Sequence, residues 1–147
     1  MWNAKFGNKP AFGISDIDLV YFDAGDLSVE TEQTHALRIN HMFKELQIHL
    51  DVKNEARVHL WYAEKFGYPI EPYQSGKDAI NTFPTTATSI GIRPNGAALE
   101  TYAPFGVDDL LNGVVRANKA VISKKVYLAK VSKWSANWPE LRIVAWD

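Results

Sequence analysis

Asp16, Asp18 and Asp51 are the residues of this sequence whose type and spacing could do chemistry. The first two open DIDLVYFD, residues 16–23, a stretch otherwise as apolar and aromatic as a buried strand. Burying an unpaired carboxylate costs several kcal/mol or forces it to take up a proton. In an extended strand, residues i and i+2 project from one face, about 7 Å apart at a rise of roughly 3.3 Å per residue. Asp16 and Asp18 therefore converge on one spot, and two like charges that close raise each other's proton affinity unless a cation lies between them. An all-oxygen, carboxylate-rich site suits Mg²⁺ or Mn²⁺ rather than zinc. Asp51 completes a three-carboxylate cluster if its strand neighbours that of the pair. Such a cluster can hold two ions roughly 4 Å apart, one activating an attacking oxygen and the other steadying a leaving phosphate. By itself, Asp-x-Asp is a weak signal. It occurs as solvated charge at strand ends, and metal-dependent glycosyltransferases use it too, usually with a larger nucleotide-sugar domain than a chain of 147 residues offers.

The elements that must position these acids read as strands alternating with helices. DIDLVYF forms the first strand, Gly25 and Asp26 close it, and Asp23 and Asp26 are turn residues. Ser28 is a good N-cap for a helix over 29–46, with Ala36, Ile39, Phe43 and Leu46 at the spacing of one buried face. QIHLDVKN, residues 47–54, is the cleanest alternation in the chain. Ile48, Leu50 and Val52 point one way and Gln47, His49, Asp51 and Lys53 the other, as a strand with one face on the core requires. Asn54 caps a helix that Gly67 stops. Ser75 caps a short helix ending before Pro84. A hairpin turns at Pro94, Asn95 and Gly96. A short helix over GVDDLLNG and a short strand VVR follow. The last helix carries Tyr127, Val131, Trp134 and Trp138 as a core stripe, with Lys124, Lys125, Lys130 and Lys133 on its solvated face.

Composition bounds the class. A chain of this length, 46% hydrophobic and 22% charged, has the makeup of one soluble globular domain. The formal net charge of -1 offers no bulk pull toward nucleic acid or an anionic membrane, so any nucleotide contact must be local. The absence of cysteine excludes disulfides, thiolate metal sites and thiol nucleophiles. With no apolar leader and no run long enough to span a bilayer, the cytoplasm is the expected location. There is no Walker loop, zinc spacing or serine nucleophile elbow.

Other groups lie near the acids in sequence. Asn54 and Arg57 stand at a helix start close to Asp51, where the dipole and a guanidinium fork could receive phosphate oxygens; a structural ion pair is the equal alternative for Arg57. Lys53 shares the polar face of Asp51 and could touch substrate. His59 is expected to be a hydrogen-bonded structural histidine. Thr85, Thr86 and Thr88 offer hydroxyls to sugar or phosphate, with Thr86 the candidate ligand; plain turn and strand chemistry explains them equally well. Asp108 and Asp109 fit a helix N-terminus better than a metal site.

Five stretches in order, DIDLVYFD, DVKNEARVHLWY, PYQSGKDAINTFPTTATSIGI, APFGVDDLLNGVVR and KWSANWPEL, resemble a poorly characterised bacterial nucleotidyltransferase family of the DNA polymerase β nucleotidyltransferase superfamily. The resemblance covers nearly the whole chain. It implies an α+β nucleotidyltransferase fold, a mixed sheet flanked by helices, with Asp16 and Asp18 as the paired acids and Asp51 as the third. It further implies Mg²⁺ or Mn²⁺ and transfer of a nucleoside monophosphate from a nucleoside triphosphate to an acceptor whose identity stays open, with loss of pyrophosphate. A nucleotide-binding or regulatory module of the same fold, without turnover, is the alternative.

Two departures stand out. The superfamily places a glycine followed by Gly or Ser ahead of the aspartate pair, where this chain has Gly7-Asn8 and Gly13-Ile14-Ser15, loose substitutes for a segment that lets backbone N–H groups approach a triphosphate. Glu55 stands where the resemblance implies Gln. The domain, residues 1–147, thus reads as lacking the usual N-terminal helical segment. Trp2, Phe6 and Phe12 are accordingly expected to lie exposed at a disordered end or to be covered by a second copy in a homodimer.

Overall fold

The computed structural model describes residues 1–147. Along the chain run α1 (Trp2–Lys5), β1 (Asp16–Tyr21), α2 (Val29–Met42), β2 (His49–Asn54), α3 (Val58–Phe66), α4 (Gly76–Ile80), β3 (Gly91–Asn95), β4 (Ala98–Tyr102), α5 (Asp108–Asn112), β5 (Val114–Val115), α6 (Lys124–Asn137) and β6 (Arg142–Ile143). This is an α+β fold whose strand pairing is spread over three two-stranded ladders. The chain divides into two compact units, residues 14–79 and residues 1–13 with 80–147. No helix is long and apolar enough to cross a membrane.

In the unit 14–79, β1 and β2 pair in parallel, with Asp18 opposite Asp51 and Leu19 opposite Val52. Parallel neighbours need a crossover of a dozen residues or more, and α2 supplies it. Alternation holds in β2: Leu50, Val52 and Asn54 are buried while His49, Asp51 and Lys53 are not. β1 departs from the expectation of a buried strand. Five of its six residues are exposed, Ile17, Leu19 and Val20 among them, because β2 is its one ladder partner.

α2 begins as expected, the Ser28 hydroxyl accepting from the Thr31 N–H at 3.4 Å. It ends earlier. The Asn40 side-chain amide bonds both the N–H of Leu50 at 3.0 Å and its C=O at 2.8 Å, tying the helix to β2, and a 3₁₀ turn over Lys44–Leu46 then leads to Gln47 in the left-handed region at φ 53°. Phe43 and Leu46 are consequently exposed rather than part of the buried face. Asn54 caps the next helical segment by accepting from the Ala56 N–H at 3.1 Å, and Gly67, at φ 86°, terminates α3. The helix capped by Ser75 is shorter than expected, ending at Ile80.

The other unit is discontinuous in sequence. Its core gathers Trp2, Ala87, Val115, Ile122, Tyr127, Trp138 and Leu141, with Val131 and Trp134 packed against them, so the aromatic stripe of α6 faces inward as its period requires. Trp2 is buried, not exposed. Its indole N–H donates to the Leu110 carbonyl at 3.0 Å, and its ring meets Trp134 and Trp138 edge-on at 5.6 and 5.5 Å. The Trp138 indole N–H donates to Asn3 Oδ1 at 2.7 Å. Phe6 also packs on this cluster, close to Gly113, whose φ of 67° and proximity to that ring exclude a β-carbon. Phe12 alone of the three N-terminal rings is exposed. The apolar end invoked for a homodimer is therefore largely covered by the chain itself. β5 pairs in parallel with β6, and the β3–β4 hairpin turns through Gly96 and Ala97.

Candidate metal centre

Three side chains converge on one face of the β1–β2 ladder. The parallel register sets Asp18 beside Asp51, and Asp16 lies one pleat back along β1. One carboxylate oxygen from each can be chosen so that all three lie within 4.8 Å of one another. Ligands on opposite sides of Mg²⁺ stand about 4.2 Å apart at bonds of about 2.1 Å, so the trio needs only small side-chain movements to close on a hard divalent ion. The donor set, three carboxylates and no nitrogen or sulfur, fits Mg²⁺ or Mn²⁺.

Burial is not what forces these acids to seek a cation. Asp16 and Asp18 are exposed and Asp51 is half-buried, so solvent screens their repulsion. The Ser15 hydroxyl donates to Asp16 Oδ1, and Lys53 Nζ sits 3.2 Å from Asp51 Oδ1. Lys53 thus shares the face of Asp51 and is the local positive charge beside it.

The buried acid lies one step further in. Glu55 is 6% exposed. Burial pushes its carboxyl up to about 7, the negative charges of Asp18 and then Glu32 add to the shift, and Lys53 opposes it. The acidic face is thus backed by a buried carboxyl that holds its proton to higher pH than an ordinary glutamate. Its place in sequence gave no hint of this, because both its burial and its charged neighbours depend on how α2 and β1 pack around the end of β2.

Asn54 and Arg57, expected near phosphate, are bound to the protein's own groups. Asn54 is 1% exposed; its side chain accepts from the Asp23 N–H at 3.0 Å and donates to the carbonyls of Asp23 and Asp26 at 2.8 and 3.1 Å. Its backbone N–H donates to Glu32 Oε2 at 2.7 Å. Arg57 donates through Nε to the Leu27 carbonyl at 2.8 Å and through Nη1 to Glu32 Oε1 at 2.5 Å, both side chains of the ion pair being nearly buried. Together they tie the loop after β1 to the end of β2. Within that loop hydrogen bonds from Ser28, through its side chain and then its backbone N–H, and from the Thr31 hydroxyl hold the Asp26 carboxyl down to about 2; Asp23 accepts from the Gly25 N–H. Both are turn residues, as their positions implied. His59 differs from expectation, since its Nδ1 is buried with no hydrogen-bond partner.

Thr86 belongs to the other unit, where its hydroxyl donates to Asp109 Oδ2 at 2.6 Å. Arg116 Nε donates to the same oxygen at 3.1 Å, and Asp108 and Asp109 occupy the first turn of α5. Thr85 and Thr88 share a hydroxyl–hydroxyl bond of 2.8 Å.

Residues 1–143 match a family model described as nucleotidyltransferase. Among solved structures, one described as "The NMR structure of the protein reveals a CCA-adding enzyme head domain" is similar over 97% of this chain and 74% of its own, with 27% sequence identity and a TM-score of 0.77. No curated protein matches.

Proposed function

The chain belongs to the nucleotidyltransferase family, and on that premise we propose that it transfers a nucleoside monophosphate from a nucleoside triphosphate to an acceptor, with Asp16, Asp18 and Asp51 holding Mg²⁺ or Mn²⁺. The observation that carries this reading is the register of β1 against β2, which brings the three acids within 4.8 Å in a member of a family defined by this transfer. When bound, the divalent ion supplies Lewis-acid stabilisation of charge on the phosphoryl oxygens. The acceptor oxygen attacks the α-phosphorus and the bond from that phosphorus to its bridging oxygen breaks. Pyrophosphate leaves with the bridging oxygen, and the acceptor's proton passes to Asp51. Lys53 offers its ammonium to the triphosphate as a point charge. Asn54 and Arg57 act as positioning residues, holding the loop after β1 and the end of β2 in one arrangement.

Electron paramagnetic resonance of Mn²⁺ with the wild type and Asp18→Asn tests the metal assignment. We expect binding by the wild type and a loss of about tenfold or more in the variant; equal, negligible binding in both removes it. Incubation with labelled nucleoside triphosphates and Mg²⁺ tests the transfer. Triphosphate binding without pyrophosphate release in the presence of candidate acceptors assigns the chain to the inert, regulatory alternative.

A further inference from the structure

The net charge of -1 conceals a segregation. Residues 14–79 carry twelve Asp and Glu against six Lys and Arg; residues 1–13 with 80–147 carry five against ten. The two balances, −6 and +5, together make the chain's −1. The expectation of no electrostatic pull toward nucleic acid, drawn from the whole chain, therefore does not hold for its parts. An acidic unit is the natural setting for cations and repels a polyanion, whereas the basic unit attracts one.

The positive charge is most available on α6. Its fourteen residues include four lysines and no acid. Arg93 and Arg116 are paired with Glu100 and Asp109, but Lys124, Lys125 and Lys133 are exposed and form no ion pair. Lys124 and Lys125 stand in the first turn of α6, where the helix dipole favours acids, so helix stability does not explain them. Tyr127, Val131 and Trp134 on the opposite side anchor the helix in its core, which fixes the outward direction of Lys125 and Lys133. At about 1.5 Å per residue α6 is about 21 Å long, enough to follow several consecutive phosphates.

We propose that the solvent face of α6, with the basic surface of its unit, binds a nucleic acid strand through its phosphodiester backbone. This binding does not depend on the transfer reading above. Lysines on a helix surface meet phosphate as point charges and read no bases, so the contact is independent of sequence and sensitive to salt.

Fluorescence anisotropy of a labelled single-stranded RNA of about 20 nucleotides, titrated with the full chain between about 50 and 200 mM salt, tests this. The wild type is expected to bind with micromolar affinity at low salt and to weaken at least tenfold across that range. Lys124→Glu/Lys125→Glu is expected to weaken binding about tenfold and lower the log–log salt slope by about 1.4, at about 0.7 per lost phosphate contact. Acids in the first turn favour the helix, so this loss is not explained by unfolding; Lys133→Glu, further along α6, should weaken binding in the same sense. No binding by the wild type at low salt overturns the proposal. So does binding unchanged by the charge reversals, or binding lost in Asp18→Asn, which would put the strand on the acidic unit. Mn²⁺ binding measured on the same proteins keeps the two readings apart: retained Mn²⁺ with no strand removes this proposal alone, and a retained strand with no Mn²⁺ removes the metal-dependent transfer alone.

Discussion

Glu55 shows how a single carboxyl can couple pH to folding. Its carboxyl is raised from an ordinary value of 4.5 to about 7 in the folded protein, so the native state holds a proton that the unfolded chain releases. The associated stability is fully present below about pH 4.5 and is lost as pH rises through about 7, amounting to about 3 kcal/mol. Glu55→Gln removes this dependence. Urea unfolding should find the variant equal to the wild type near pH 4.5 and about 3 kcal/mol more stable at pH 8; parallel stability curves would show that burial is not what raises the group. Lys53 lends itself to a second measurement. It competes with a metal for Asp51 from 3.2 Å and carries the positive charge offered to triphosphate. Lys53→Met should therefore tighten Mn²⁺ binding a few-fold while weakening triphosphate binding about tenfold, a split that titration calorimetry with each ligand alone would resolve. At this scale the pairing of Asp16 with Asp18 was legible because strand period acts on neighbouring residues, and alternation set Asp51 on a polar face, while the register that joins it to the pair spans segments distant in sequence. Glu55 was not, because its burial comes from segments distant in sequence. Asn54 and Arg57 invited a phosphate assignment because an amide and a guanidinium suit backbone carbonyls and a buried carboxylate as well as they suit phosphate.

The two crossover elements, β1 with its following loop and β2 with the turn after it, are held together by Asn54, Glu32 and Arg57. Four hydrogen bonds converge on the Asn54 side chain alone. Asn54→Ala should cost about 3 kcal/mol, at roughly 1 kcal/mol for each bond less whatever water restores, and should weaken Mn²⁺ binding by releasing the last residue of β2, the strand that carries Asp51. Denaturant unfolding and Mn²⁺ titration of the same variant check the two halves of that statement; a large loss of stability with unchanged metal binding would confine Asn54 to folding. β2 could be read from its alternation, α3 from Asn54 and Gly67, and α6 from its aromatic stripe, because each signal is local. The end of α2 could not, since the Asn40 amide that ties it to Leu50 acts across ten residues and overrides the periodicity of Phe43 and Leu46. β1 misled in the opposite direction. Its apolar sequence suggests burial, yet the strand has one neighbour and stays open on its other side.

For the whole molecule, the indole cluster of Trp2, Trp134 and Trp138 joins the two ends of the chain. Trp2→Ala should destabilise the protein by about 3–5 kcal/mol, leaving a cavity and removing the indole hydrogen bond to the Leu110 carbonyl. A thermal melt followed by tryptophan fluorescence would measure it, and an unchanged melting temperature would mean that the N-terminal segment is dispensable. The same packing displaces the expectation that Trp2 and Phe6 lie exposed or await a second copy, while Phe12 stays exposed. It also has a kinetic consequence. Trp2 is made before its partners Trp134 and Trp138, which follow more than 130 residues later. Closing so long a loop is slow compared with local folding. Residues 14–79 can thus adopt their own structure during translation, while residues 1–13 dock only after Trp134 and Trp138 have been made.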